Sequence, residues 1–129
     1  MNGNYLLDTN IIIGLFANDA EIIRRIQQAS RTVVSAVVIG ELYYGAYNST
    51  KVEDNLLKVE QLARDVEIIA CDSETSGLYG YVKSQLKKKG KPIPENDIWI
   101  AAAAKQHQLT LVSRDKHFGE IDGLDWIEW

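Results

Sequence analysis

Short apolar runs rich in β-branched residues alternate along the chain with longer stretches in which apolar residues recur every three or four positions. The short runs predict strands and the longer stretches predict amphipathic helices, because the two structures bury side chains with different periods. The predicted strands cover residues 5–7, 32–35, 66–69, 110–112 and 126–128. The predicted helices cover residues 10–17, 19–29, 36–47, 51–64, 73–89 and 95–106.

Strands and helices that alternate in this order are typical of an α/β domain with a largely parallel sheet. Asp19 and Ser73 stand where they can cap the second and the fifth helix. Residues 90–94 (GKPIP) must form a turn or loop, because proline lacks the amide hydrogen that a helix interior needs. The 129 residues are the size of one ordinary domain, and no repeat or linker divides them, so we predict a single domain over residues 1–129.

The composition indicates a soluble protein of the cytoplasm. The single Cys71 cannot form an internal disulfide and is expected to be a small buried residue. The amino-terminal residues lack the features of a secretion signal, and no apolar run approaches the roughly 18 residues of a membrane span. The net charge of -4 argues against a broadly basic surface, but a carboxylate cluster that holds cations also makes a sequence acidic, so charge decides little here.

Two aspartates come shortly after predicted strands. Asp8 follows the first strand and precedes a predicted helix, and Asp115 comes just after the strand at 110–112. In open α/β sheets, ligands bind in the crevice outside the carboxyl ends of the strands. Both side chains are therefore predicted to point at one rim of the sheet. Taken singly, each could instead be a helix cap or a turn residue.

Glu41 and Asp97 lie in predicted helices, on faces with little other charge. Glu41 comes early in the helix after the second strand, so its side chain can return to the same rim. Asp97 shares its face with Ile100, Ala101 and Ala104, a stripe that should be buried. The alternatives are a solvated Glu41 and an Asp97 that interacts with the helix dipole. All four acids together are harder to explain in these ways, because a parallel sheet would gather them along one edge.

Four converging carboxylates predict a bound cation. Two such groups about 4 Å apart repel by about 4 kcal/mol at an effective dielectric constant near 20, unless protons or cations intervene. Oxygen ligands without His or Cys select hard ions, so we expect Mg²⁺, with Mn²⁺ as a substitute. Such a site can activate water and shield phosphate charge, so it predicts hydrolysis of a phosphodiester bond in nucleic acid.

Four segments in a characteristic order and spacing connect the chain to a known family; they are 6–10 (LLDTN), 35–42 (SAVVIGEL), 96–102 (NDIWIAA) and 111–118 (LVSRDKHF). With them, the chain resembles the PIN-domain nucleases, and specifically the VapC toxins of VapBC toxin-antitoxin modules. The resemblance covers essentially the whole chain, and residues 121–124 (IDGL) before the last apolar strand also match. One departure is Ser113, where Thr is commoner, and the hydroxyl is kept.

The resemblance implies a three-layer α/β/α domain with a central, mainly parallel sheet of four to five strands. It implies a Mg²⁺-dependent endoribonuclease, with RNA as the substrate, a cognate antitoxin protein as the inhibitor and a homodimer. No membrane association is expected, because the sequence has no apolar run long enough to span a membrane.

The resemblance also assigns residues. The acidic places are taken by Asp8, Glu41, Asp97 and Asp115. Asp8 and Asp97 are the expected direct metal ligands, whereas Asp115 holds the least uniform place and is expected either to bind the ion or to tune the site. The polar residues expected to support the acids, unless they are ordinary turn or cap residues, are Thr9, Asn10 and Ser113.

Other functions stay open at this point. A catalytically silent PIN-fold module could use Tyr43, Tyr44 and Tyr47 for protein contact, although these tyrosines could equally pack in the core. A PIN nuclease could act in RNA processing outside a toxin-antitoxin system. A phosphatase with an aspartate nucleophile is disfavoured, because it needs a second Asp two residues after the first and Asn10 stands there.

The one dense basic patch in the sequence comprises Lys87, Lys88, Lys89 and Lys91. It could guide RNA phosphates toward the acids, but lysines at the end of a helix also suit the helix dipole, which is the interpretation we favour. His107 and His117 are not spaced like metal ligands or a general-base pair, so no catalytic role is expected of them. His117 should instead shape the turn after Asp115.

Overall fold

In the computed structural model, which describes residues 3–129, the apolar runs form strands and the amphipathic stretches form helices. The first two residues of the predicted domain lie outside the described residues. The strands are β1 (Asn4–Leu7), β2 (Arg31–Ser35), β3 (Glu67–Ile69), β4 (Thr110–Val112) and β5 (Trp126–Ile127). The five predicted strands are thereby confirmed; β4 has the predicted bounds, and each of the others differs by one residue at one end.

The six predicted helices are also confirmed. They are α1 (Thr9–Phe16), α2 (Ala20–Gln28), α3 (Ala36–Tyr47), α4 (Val52–Asp65), α5 (Ser73–Lys89) and α6 (Glu95–Gln106). A short 3-10 helix, Lys116–Glu120, follows β4 and lies outside the predicted elements.

The ends of the helices have identifiable chemical causes. Asp19 caps α2 as predicted, since its carboxylate accepts hydrogen bonds from the backbone of Glu21 and Ile22. The prediction that Ser73 caps α5 was wrong. Asp72 is the cap, because its carboxylate accepts from the Thr75 amide at 3.0 Å while the Thr75 hydroxyl accepts from the Asp72 amide at 3.0 Å.

The strands form one sheet in the order β3-β2-β1-β4-β5, and every pair in it is parallel. The predicted sheet of four to five mainly parallel strands is confirmed, with β5 as an edge strand. The chain moves outward from β1 through β2 to β3 and then crosses to β4 on the other side of β1. Because parallel crossovers are right-handed, this reversal places α1 to α4 on one face and α5 and α6 on the other. The result is the expected three-layer arrangement.

The core lies where the two central strands meet the alanine-rich helix. Leu6 of β1 and Leu111 of β4 are paired in register and fully buried. Ile100 and Ala101 of α6 are fully buried as well, so the predicted apolar stripe of this helix is confirmed. Cys71 is exposed, and the expectation that it is buried was wrong.

None of the helices within residues 3–129 is both long enough and apolar enough to span a membrane.

Candidate metal centre

The strand order reverses between β1 and β4, which makes their carboxyl ends the switch point of the sheet. Open α/β sheets bind ligands in the crevice at such a point. Asp8 comes directly after β1, and its amide donates to the Val112 carbonyl of β4 at 3.0 Å. Ser113 comes directly after β4. The two residues therefore stand side by side at the mouth of the crevice.

Asp8 is a buried carboxylate held by donors on three sides. One oxygen, Oδ1, accepts from the Thr9 amide at 2.8 Å. The other, Oδ2, accepts from the Ser113 hydroxyl at 2.7 Å and from the Asn10 amide group at 3.4 Å. Burial raises the pKa of Asp8 despite these hydrogen bonds, and the charge of Asp115 raises it further. The proton affinity of this carboxylate is thus increased by its surroundings.

The three polar residues expected to support the acids all make direct contacts in the crevice. Asn10 donates to the Ser113 hydroxyl at 3.1 Å and accepts from the Arg114 amide at 3.1 Å. The same fully buried hydroxyl accepts from the Asp115 amide at 3.0 Å. The Thr9 hydroxyl donates to a different acid, Glu41, at 3.0 Å. These contacts fix the positions of Asp8 and Glu41 and tie the loop that carries Asp115 to the end of β1.

Glu41 reaches the crevice from the second turn of α3, as the sequence predicted. Its carboxylate is half-buried. Burial is the largest cause that raises the pKa of Glu41, and the neighbouring charges of Asp8 and Asp97 add to it, whereas the hydrogen bond from Thr9 lowers it.

Asp97 lies in the first turn of α6, and its side chain is 16% exposed. It therefore belongs to the half-buried rim and not to the solvated surface. Burial raises the pKa of Asp97, the carboxylates of Asp8 and Asp115 raise it further, and His117 lowers it. The charge of Asp8 raises the pKa of Glu41 and Asp97, and the charge of Asp115 raises the pKa of Asp8 and Asp97, so the four carboxylates form one electrostatic unit.

Asp115 and His117 complete the rim in a way that the sequence did not reveal. The Asp115 side chain is 44% exposed, and this residue caps the 3-10 helix. The His117 ring lies between two of them, with Nδ1 2.6 Å from Asp115 Oδ1 and Nε2 2.7 Å from Asp97 Oδ2. Within residues 3–129, the buried Nε2 atom makes no hydrogen bond of good geometry, so its contact with Asp97 is electrostatic. The expectation that His117 only shapes a turn was therefore too narrow.

The donor set fits a divalent cation. Ligand atoms of Asp97, Asp115 and His117 all lie within 4.8 Å of one another, and the charges of Asp8 and Asp97 raise the pKa of Glu41. The acids line an open cavity of about 500 Å³, which has room for an ion and a phosphate group. Carboxylate oxygens are the ligands of hard divalent ions, and a cation would offset the repulsion among these groups.

An apolar trough adjoins the acidic cavity and shares Thr9, Ile13 and Glu41 with it. Phe16 and Val59 form part of its wall, and its volume is about 300 Å³.

Replacing Ser113 by Ala is expected to lower the free energy of unfolding by about 1–3 kcal/mol, because the fully buried hydroxyl serves both Asp8 and the Asp115 amide, and these would lose their partner. Urea denaturation checks this. Ser113→Thr keeps the hydroxyl and should stay close to the unsubstituted protein. Equal denaturation midpoints for Ser113→Ala and the unsubstituted protein would show that these hydrogen bonds do not support the rim.

Comparison with known proteins gives consistent matches along the whole chain. The family model described as PIN domain matches residues 5–124. Ribonuclease VapC1 of Haemophilus influenzae is 36% identical, and the match covers 97% of both chains. The tRNA(fMet)-specific endonuclease VapC of Salmonella typhimurium is 31% identical, again over 97% of both chains. The structure of VapBC2 from Rickettsia felis, bound to a DNA fragment from its promoter, superposes with a TM-score of 0.90 at 29% identity, covering 97% of this chain and 98% of that one.

Proposed function

The chain belongs to the PIN domain family, and from this premise we propose that it is the toxin of a toxin-antitoxin module, an endoribonuclease that hydrolyses RNA phosphodiester bonds at its acidic rim. One observation carries the proposal: Asp8, Glu41, Asp97 and Asp115 come from four separate parts of the chain and meet at the switch point of the sheet. Relatives whose matches cover 97% of the chain are named ribonucleases or endonucleases.

The cation proposed for the rim is Mg²⁺, with Mn²⁺ as a substitute, because carboxylate oxygens dominate the donor set. Asp8 and Asp97 are the residues that would hold it, with Glu41 and Asp115 as further ligands. When bound, such an ion supplies an activated water and neutralises phosphate charge.

The protein's own groups prepare the reaction. The hydrogen bonds from Ser113 and Thr9 fix the Asp8 carboxylate against the ion position. Burial and the charges of Asp8 and Asp97 raise the pKa of Glu41, so its ionised form is disfavoured in the metal-free protein and would be stabilised by a bound cation. The Thr9 hydroxyl keeps Glu41 turned toward the crevice.

The proposed partners are an antitoxin and a second copy of the chain. VapBC complexes are among the structural neighbours, and the apolar trough beside the acids gives an antitoxin segment a place to bind next to the site. Tyr44 and Tyr47 of α3 are 72% and 65% exposed, so these two tyrosines do not pack in the core and can contribute to a homodimer. We propose a single domain that acts on RNA in the cytoplasm.

Two alternatives are weaker. A silent protein-binding module has no use for four acids gathered on one rim, each costly to ionise beside the others. A phosphatase with an aspartate nucleophile lacks its second Asp, and Asn10 instead joins Ser113 to the Arg114 amide. A PIN nuclease of RNA processing shares the chemistry, so only the biological test below separates it from a toxin.

Purified protein is expected to cleave RNA in the presence of Mg²⁺ and to lose all activity when EDTA removes the ion. Transfer RNA and ribosomal RNA, incubated separately and resolved on denaturing gels, provide the measurement. Expression of the chain should stop bacterial growth, and coexpression of an antitoxin encoded beside it should restore growth. RNA cleavage without growth arrest would favour RNA processing, and intact RNA in every reaction would rule out the proposed activity.

A further inference from the structure

The acidic cavity extends beyond Asp8, Glu41, Asp97 and Asp115 and reaches Glu95. Glu95, at the start of α6, lines this cavity and also lines a second groove of about 330 Å³ on the other side of the loop that carries Pro92 and Pro94. The second groove contains Lys83 and Lys87 of α5. These lysines are one helical turn apart and so share a face of the helix. A groove that carries two lysines and is otherwise lined mainly by apolar residues therefore adjoins the acidic cavity, and Glu95 lines both.

The lysines at the end of α5 differ in their side-chain contacts. The Lys89 side chain has partners within the protein. Its ammonium group donates to the Glu120 carbonyl at 2.7 Å and contacts Asp122 at 3.1 Å. Lys87 lines the groove, and within the described residues 3–129 its side chain forms neither a hydrogen bond nor an ion pair. The helix dipole accounts for lysines at this end of α5, but it does not account for an unpaired lysine beside the acidic rim.

Lys83 is held at the junction of the two grooves. Its ammonium group contacts the Glu95 carboxylate and lies 3.2 Å from the Tyr79 hydroxyl. Tyr79 also donates to Glu95, and its ring stacks on Trp99 with the centroids 4.0 Å apart. Lys83 and Glu95 are both about half exposed, so their ion pair is weak and a phosphate can displace the carboxylate.

We propose, on the premise of the ribonuclease function above, that Lys83 and Lys87 form a binding subsite for the RNA backbone, and that Glu95 restricts this subsite by competing with RNA phosphate for Lys83. RNA must approach a rim of four carboxylates on a protein of net charge -4, and long-range attraction toward the whole protein is therefore absent. Local cations beside the rim supply the missing attraction. A strand with one phosphate at the rim can then place neighbouring phosphates along α5.

Binding of a labelled single-stranded RNA tests the subsite without cleavage when all variants carry Asp97→Asn. Fluorescence anisotropy at several KCl concentrations measures both affinity and its salt dependence. The double substitution Lys83→Gln with Lys87→Gln should weaken binding about tenfold or more near 0.1 M salt. It should also make the slope of log affinity against log salt shallower by about 1.4, because each phosphate contact to a single strand contributes about 0.7.

The matched control is Lys88→Gln with Lys91→Gln, which removes the same charge at the end of α5 and just beyond it, at residues that do not line the groove. It should weaken binding no more than about twofold, and an equal loss in both double variants would overturn the subsite. Glu95→Gln should tighten binding about threefold at low salt, because Lys83 is released. Weaker binding by Glu95→Gln would overturn the competing role of Glu95.

The two levels of the hypothesis fail in different ways. If the protein that retains Asp97 does not cleave RNA, the ribonuclease function and the subsite are both wrong. If it cleaves RNA and the groove lysines leave affinity and salt slope unchanged, the subsite alone is wrong.

Discussion

Asp97→Asn is expected to slow metal-dependent RNA cleavage by about a thousandfold or more while the protein stays folded. The substitution keeps the size of the side chain but removes one of the two carboxylates proposed to hold the ion, so the transition state loses about 4 kcal/mol of stabilisation. Asp97 is only partly exposed, and neither a neutral amide nor a water in its place supplies the negative charge that an ionised carboxylate offers the ion. Initial rates on a defined RNA at saturating Mg²⁺ provide the measurement.

The control is Asp54→Asn, which makes the same chemical change at an exposed position in the first turn of α4. It should cleave at the rate of the unsubstituted protein. Circular dichroism and thermal unfolding establish that the Asp97 variant is folded, and isothermal titration with Mn²⁺ shows whether it has lost the ion. Asp8→Asn should behave like Asp97→Asn, and full activity in both variants would contradict the proposed metal centre.

The positions of the acids could be predicted because each lies in a local sequence pattern that indicates its place in the fold. Asp8 follows an apolar strand at once, and a carboxylate there must point out of the carboxyl end of a parallel sheet. Asp97 interrupts an alanine-rich stripe that is otherwise buried, so an unpaired acid there demands a partner. The fold could be predicted for the same reason, since the period of the apolar residues separates strands from helices.

Contacts between segments that are distant in sequence could not be predicted from local patterns. The spacing of Asp115 and His117 is visible in the sequence, but the second contact of His117, with Asp97, depends on how α6 meets the loop after β4. The junction between Lys83 and Glu95 likewise depends on the packing of α5 against α6. Local pattern fixes which face of an element is buried, whereas the pairing of two faces is decided by packing across the whole domain.

The choice of Asp72 over Ser73 as the cap of α5 is a smaller case of the same kind. Both residue types are good caps. Asp72 is selected because its carboxylate can also accept from Gln106 of α6 at 2.9 Å, a contact that only the folded domain provides.

The apparent affinity for Mn²⁺ is expected to fall by about ten- to a hundredfold for each pH unit once the solution is more acidic than the raised pKa values of Asp8, Glu41 and Asp97. The ion binds ionised carboxylates, so every proton that it displaces contributes about a factor of ten per pH unit. Because these pKa values lie above the ordinary values of about 4, the decline begins at a higher pH than it would for exposed acids. Isothermal titration in buffers of different ionisation enthalpy measures affinity and the number of protons released. An affinity that stays constant between pH 8 and pH 4 would contradict ligation by these acids.

Stability without the ion should respond to pH in the opposite direction. A carboxylate whose pKa is raised by folding binds more protons in the folded than in the unfolded state, so its contribution to stability is fully present below the unfolded pKa and is lost as the pH rises through the folded pKa. Metal-free protein should therefore gain thermal stability as the pH falls from neutral toward about 4. Below that pH, acids with lowered pKa values, such as Asp72, lose their hydrogen bonds and reverse the trend.

Asp97→Asn should flatten this gain and raise the midpoint of metal-free unfolding at neutral pH. Divalent ions should raise the midpoint of the unsubstituted protein more than that of the variant, since only ionised acids hold them. If acidification destabilised the metal-free protein throughout this range, the rim would not be the strained cluster of carboxylates from which the metal centre is inferred.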